Sequence, residues 1–186
     1  FNLAENSVIN YKATKDKPDV TLANTMVNSG LLNLGDGVVS DVTISTLKSE
    51  NGTIRINIDN PSYTADRIII SDKIYGTTNV FVENGNKMTL ELDDKIYFAQ
   101  TQSAQSLDDY KFVSKINNGL YEIAIDHDAG TTVNDWYFYR TKYLNPEVIA
   151  YIDLPRSSIE QSRSLLFNIE RLSKGRCDCY QDGYNY

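Results

Sequence analysis

Between Asn33 and Glu83 the chain alternates short runs of β-branched residues with polar turns, in the segments LNLG, VTIST, GTIRINID, DRIIIS and GTTNVFVE. Ile54, Ile56 and Ile58 occur at every second position, the period of a strand with one buried face. Ile68, Ile69 and Ile70 form an unbroken apolar run, which predicts a strand covered on more than one side. Turns are predicted at Gly35-Asp36-Gly37, Asn51-Gly52, Asn60-Pro61 and Asn84-Gly85, where these residue types tolerate positive φ or fix it. No helical period separates the strands, so βαβ crossovers are excluded and a β-sandwich or a solenoid remains. Recurrence of similar strands every ~20 to 25 residues favours stacked repeats. That arrangement predicts one internal apolar column containing Leu34, Ile44, Ile56, Ile69 and Val80. VTLANTMVNSG, at 20–30, is compatible with one repeat more.

From Lys87 to Arg140 the pattern changes to aromatic-rich segments, MTLEL, KIYFAQ, YKFVS, LYEIAID and DWYFYR, separated by Gly, Asn and Asp. Cross-strand aromatic and β-branched pairs favour antiparallel hairpins, and such a unit is suited to covering the open end of a repeat stack. Alternation in DWYFYR sends Trp136 and Phe138 to one face and Tyr137 and Tyr139 to the other. The first pair is expected in the core, and the second pair are candidate exposed interaction residues. From Asn145 onward the period is helical: Asn145 is an N-cap with Pro146 at the first helical position, and a second helix is predicted from about Pro155 to Leu172. Gly175 is its predicted stop. The pattern thus divides the chain at residues 1–86, 87–144 and 145–186.

Charge sharpens this division, because residues 155–186 carry five basic against four acidic side chains, so of the net -7 the first 154 residues hold -8 and the tail +1. An acidic chain without clustered Lys and Arg argues against nucleic acid as a partner. No apolar run approaches the ~20 residues of a membrane-spanning helix. A start at Phe1, inside patterned sequence and without a signal-peptide pattern, is expected of an excised fragment.

Candidate chemistry is sparse. The one histidine, His127, lies in DHDAG, where Asp and Gly predict a turn rather than a base or a metal loop. Asp93-Asp94 and Asp108-Asp109 suggest acid and base pairs acting on a polysaccharide, but neighbouring strand residues face opposite ways, and solvated turns explain them better. Cys177 and Cys179 have no distant partner and no further zinc ligands, so they read as thiols or a small local loop. Asn51-Gly52-Thr53 fits a glycosylation sequon. The expectation is no enzyme activity, with no catalytic residue, cofactor or metal.

The ordered set of motifs resembles a known family. LNLGDGVVSDVTI at 32–44, NGTIRINID, ADRIIIS and GTTNVFVENG resemble the last repeats of pertactin-like bacterial autotransporter passengers. GLYEIAID and DWYFYR resemble the hairpins of their autochaperone cap, and LNPEVIAYIDLPRSS resembles the linker before the translocator barrel. The resemblance covers about Leu32 to Leu172. It implies an all-β fold, a right-handed parallel β-helix capped by antiparallel hairpins and followed by a short helical linker. It also implies a role in type V secretion, with Trp136, Phe138, Tyr121 and Ile123 in a cap that templates folding outside the cell. The partner implied is the protein's own outer-membrane β-barrel, whose membrane strands do not occur in this sequence. A host-cell surface protein is a second implied partner, for a virulence-type adhesin or effector on the surface of, or released from, a Gram-negative cell. A carbohydrate-active β-helix enzyme is the remaining alternative.

Overall fold

Isoleucine, valine and threonine at alternate positions produce extended backbone with one apolar edge row, and that row must be covered by another strand's row. In the computed structural model, which describes residues 1–13, 19–83, 88–114, 116, 120–146, 148–150 and 159–167, this covering is achieved by stacking strands in parallel. The chain forms two units, 1–145 and 146–186. The first is all β. Its strands are β1 (Asn2–Leu3), β2 (Val8–Asn10), β3 (Val20–Asn28), β4 (Leu31–Asn33), β5 (Asp41–Ile56), β6 (Ile58–Asp59), β7 (Thr64–Ala65), β8 (Arg67–Val82), β9 (Lys95–Gln102), β10 (Tyr110–Ser114), β11 (Tyr121–Ala129) and β12 (Val133–Leu144). In the second unit, residues 159–167 are helical, as are 148–150. No helix among the described residues is long and apolar enough to cross a membrane.

Parallel pairing dominates. β3, β5, β8 and β9 lie side by side with Val20, Val42, Ile68 and Ala99 in register. A second parallel series runs through β2, β4 and the later halves of β5 and β8, aligning Ile9, Leu32, Ile54 and Val80. β10 continues it, with Phe112 beside Thr78. The inward rows stack apolar side chains on one another: Met26, Leu47 and Ile74 form one column, and Ile44 with Ile70 another, all buried. This pairing departs from the antiparallel strands of a β-sandwich.

Leu34, Ile44, Ile56 and Val80 are buried as expected, but Ile69 is not in the column. Ile68 and Ile70 point inward, and Ile69 takes the half-buried outer position between Thr43 and Gln100. The unbroken apolar run therefore marks a strand paired on both edges, not one covered on both faces. Asn51-Gly52 also differs from expectation, since it is a bend within the continuous β5, with Asn51 at φ 60°. Gly52 is needed there because a Cβ would stand 2.3 Å from the Asn28 carbonyl oxygen stacked beside it. DRIIIS and GTTNVFVE likewise join into one strand, β8, bent at Gly76 with φ 78°. Asn60-Pro61 opens a short 3-10 turn, and Asn84-Gly85 lies outside the described residues.

A buried polar knot fixes the corner at the start of β5 and β8. Asp66 is fully buried and accepts hydrogen bonds from the Ser40 N–H (2.8 Å), the Ser40 hydroxyl (3.3 Å) and the Asn57 N–H (2.6 Å). Asn57, also buried, donates its amide to the Leu34 carbonyl at 3.2 Å and the Asp36 carboxylate at 3.4 Å. Asp36 in turn accepts from the N–H groups of Val38 and Ala13. Turn backbone that stacked strands leave unpaired is satisfied by these side chains. Burial of Asp66 pushes its carboxyl up to about 6, against the opposing pull of its hydrogen bonds.

The series of hairpins expected over 87–140 is reduced to one among the described residues, β11–β12. MTLEL forms no strand, and β9 and β10 both extend the parallel ladder from β8. Aromatic content predicted the four other strands correctly, but it carries no information about the direction of the partner. β12 pairs antiparallel with β9 on one side and with β11 on the other. The parallel stacking therefore continues beyond residue 86 and turns antiparallel only at β12. Beyond Asn145, Cys177, Cys179, Gly175 and half of the predicted 155–172 helix lie outside the described residues, and the described half, 159–167, is helical as expected.

Candidate functional site

The last strands of the first unit bring the aromatic side chains together. Phe98 on β9, Tyr110 and Phe112 on β10, and Trp136 and Phe138 on β12 all face the interior and are buried. Phe98 stacks on Phe138 with centroids 4.4 Å apart and meets Phe112 edge-on at 5.5 Å. Trp136 meets Phe112 at 5.1 Å and Tyr110 at 5.6 Å, both edge-on. Such edge-to-face pairs add about 0.5–1.5 kcal/mol each to the burial itself. The indole N–H donates to the Thr101 hydroxyl at 3.0 Å, and Thr101 shares a 2.8 Å hydrogen bond with the Tyr110 hydroxyl. Every polar tip in this cluster is thereby partnered in a dry environment.

A β-bulge produces this convergence. β12 pairs Trp136 with Ala99 and then Tyr137 with Tyr97, leaving Phe98 as the extra residue on β9. The bulge shifts the alternation, so Ile96 and Phe98 point inward before it and Ala99 and Thr101 after it. Both faces of the hairpin near the bulge are thus engaged.

Trp136 and Phe138 occupy the interior predicted for them. Tyr121 and Ile123 lie elsewhere on the hairpin and are half-buried: Ile123 packs against the core, and Tyr121 lies under the Arg140 guanidinium, 4.1 Å from its ring centre. Both help line a cleft with Met88 and Leu90. They are not part of the Trp136 cluster.

Tyr137 corrects the expectation of an exposed residue, since it is only 8% accessible. Lys95 covers its ring, with the ammonium 4.1 Å from the centroid, and Tyr97 and Tyr139 abut it edge-on. Tyr139 is half-buried, and desolvation holds its hydroxyl above the usual range. The lid is held by Asp128, which accepts two bonds from Lys95, at 2.6 and 2.7 Å, and one from the Tyr97 hydroxyl at 2.8 Å. These hydrogen bonds lower the Asp128 carboxyl and raise both Lys95 and Tyr97. Alternation predicted a second face for Tyr137; it could not reveal that a lysine at the start of another strand, β9, closes over it.

His127 lies within β11, not in a turn, and the reversal occurs later at Gly130, whose N–H bonds to the Val133 carbonyl. Its ring stacks on Trp136 at 4.9 Å and 28°, covering the outer side of the aromatic cluster. Asp94 accepts from the Glu91 N–H, and Asp108 and Asp109 sit in a 3-10 turn capped by Ser106, so both acidic pairs belong to turns. Among the described residues no group of three or more His, Cys, Asp or Glu is placed to hold a metal ion. The arrangement's chemistry is that of packing, with partnered polar tips and a stacked aromatic lid. Compared with known proteins, the chain matches no family model and no curated protein.

Proposed function

We propose that this chain is the C-terminal part of an autotransporter passenger, in which residues 1–86 belong to a right-handed parallel β-helix, 87–144 to a cap that templates its folding, and 145–186 to a linker toward an outer-membrane barrel. One observation carries the reading: in-register parallel strands end in an antiparallel hairpin whose Trp136 and Phe138 lie over the last apolar side chains. A ladder of stacked repeats is weakest at its ends, where apolar rows and strand edges lack a neighbour. The bulged β9–β12 pairing and the aromatic cluster supply that neighbour. The protein then acts on the cell surface or after release, without catalysis, and its partner in secretion is its own barrel.

The test is to place the chain in frame between a signal peptide and an autotransporter barrel that lacks its own cap module. Display of a protease-resistant product at the cell surface is the expected result. Product retained in the periplasm, or displayed but digested as rapidly as an unfolded chain, would overturn the proposal.

A further inference from the structure

Where β8 meets the next level of the ladder, the chain departs from regular stacking. Ile69 pairs with Gln100 and Gly76 with Tyr110, so six residues of β8 stand opposite nine in the following segment. The three surplus residues push the connection between β9 and β10 outward as a loop. Its Gln105 side chain takes the place of the missing strand, accepting from the Ile74 N–H at 2.8 Å and donating to the Ile74 carbonyl. One side-chain amide thus reproduces both hydrogen bonds of a ladder position and pins the loop. Between loop and β8 lies an open cleft of about 510 Å³, walled by Asp72, Lys73, Tyr75, Gln102 and Asp109 besides Gln105.

The lining selects among ligand classes. Its side chains are mostly polar, which disfavours a lipid or an apolar cofactor. Lys73 is the one cation among these residues and stands with two carboxylates, which disfavours phosphate or nucleic acid. Those two carboxylates fall short of the ligand count of a hard-cation site. A neutral polyhydroxylated ligand fits: carboxylates accept from vicinal hydroxyls, the Gln102 amide both donates and accepts, and a tyrosine ring covers the C–H face of a pyranose. Tyr75 is 37% accessible, exposed for an aromatic on a strand. Asp72 is held by the Thr46 hydroxyl at 3.1 Å, and Ser106 caps the turn that carries Asp109. Asp72 and the turn that carries Asp109 are thereby positioned before any ligand arrives, which lowers the entropic cost of binding.

We propose that this cleft is a binding site for a neutral oligosaccharide of about disaccharide length, matching its place among pockets of roughly 300–1,000 Å³. The site uses none of the buried aromatic side chains and involves no bond breaking. Its test is titration of the ¹⁵N-labelled full chain with maltose, cellobiose and N,N′-diacetylchitobiose at millimolar concentration, with a sulfated disaccharide as the charged arm. At least one neutral sugar is expected to shift the Tyr75, Ala104 and Gln105 amides, and Tyr75→Ala and Asp109→Asn are each expected to weaken it about tenfold. Both positions are exposed, and the two variants check each other should one lose its fold. Absence of shifts at these amides with every neutral sugar, binding by the sulfated sugar alone, or affinity unchanged in a folded variant would overturn the proposal.

Discussion

Asp66 shows how a single side chain can cost stability and still be required. Its carboxylate is buried, and three donors converge on it from Ser40 and Asn57. Desolvation nonetheless dominates and lifts its pKa from 3.8 to about 6, with Asp36 pushing the same way. The folded protein therefore holds the Asp66 proton more tightly than the unfolded chain does. Stability from this group is present in full below the unfolded value and is lost as pH rises through about 6. The wild type should gain thermal stability between about pH 7 and pH 5 relative to an Asp66→Asn variant, whose neutral side chain cannot titrate. At neutral pH that variant should itself be less stable by about 1–3 kcal/mol, because an amide NH₂ would face the Asn57 N–H or leave a Ser40 donor unpaired. A wild-type to variant difference in melting temperature that stays constant with pH would contradict this account. Nothing local in the sequence marks Asp66 for this role, since its partners lie nine and 26 residues away. Trp136 and Phe138, in contrast, were legible from simple alternation. Tyr137 was legible only in part, because its cover comes from Lys95 on a different strand.

At the scale of the element, the strands were readable from β-branched residues at alternate positions, and their partners were not. Parallel and antiparallel strands use the same residues, so the aromatic segments suggested hairpins where β9 and β10 in fact extend the parallel ladder. Turn residues misled in a related way. Asn51-Gly52 and Gly76 signal sharp backbone changes, and in stacked strands these become bends that the neighbouring strand follows. The two positive-φ glycines of this region separate steric from conformational cost. Gly76→Ala places a Cβ 2.1 Å from the Ser49 carbonyl oxygen as well as straining φ 78°, whereas Gly37→Ala meets nothing within 4 Å at φ 88°. Gly37→Ala should cost about 1 kcal/mol and Gly76→Ala clearly more, since the two stacked strands must separate to admit the methyl. Urea unfolding midpoints compare them directly, and equal losses would show that the bend at Gly76 can relax.

For the whole first unit, the proposed repeat architecture makes stability depend on how far order propagates along the ladder. Each parallel strand contacts mainly its two neighbours, so a defect at one level weakens the next by removing one of its two packing surfaces. Trp136 lies at the terminal level, where β12 covers β9 and where His127 closes over the indole. Trp136→Ala removes contacts with Tyr110, Phe112 and His127 and leaves the Thr101 hydroxyl without its indole donor. The expected loss is about 3–5 kcal/mol for the cavity, with a smaller addition for the broken hydrogen bond. Tyr137→Ala, whose ring is covered by Lys95 and abutted by Tyr97 and Tyr139, should cost about 3 kcal/mol, the lower end of that range, and it leaves the aromatic cluster intact. If the cap templates the ladder, the Trp136 variant should also refold more slowly, and its amides in β8 and β9 should exchange faster than those in β3 and the first half of β5. Loss that is uniform from β3 to β12 would mean that the ladder folds as one cooperative block. Unchanged refolding with only faster unfolding would place the cluster outside the folding nucleus and remove its templating role while leaving its contribution to stability.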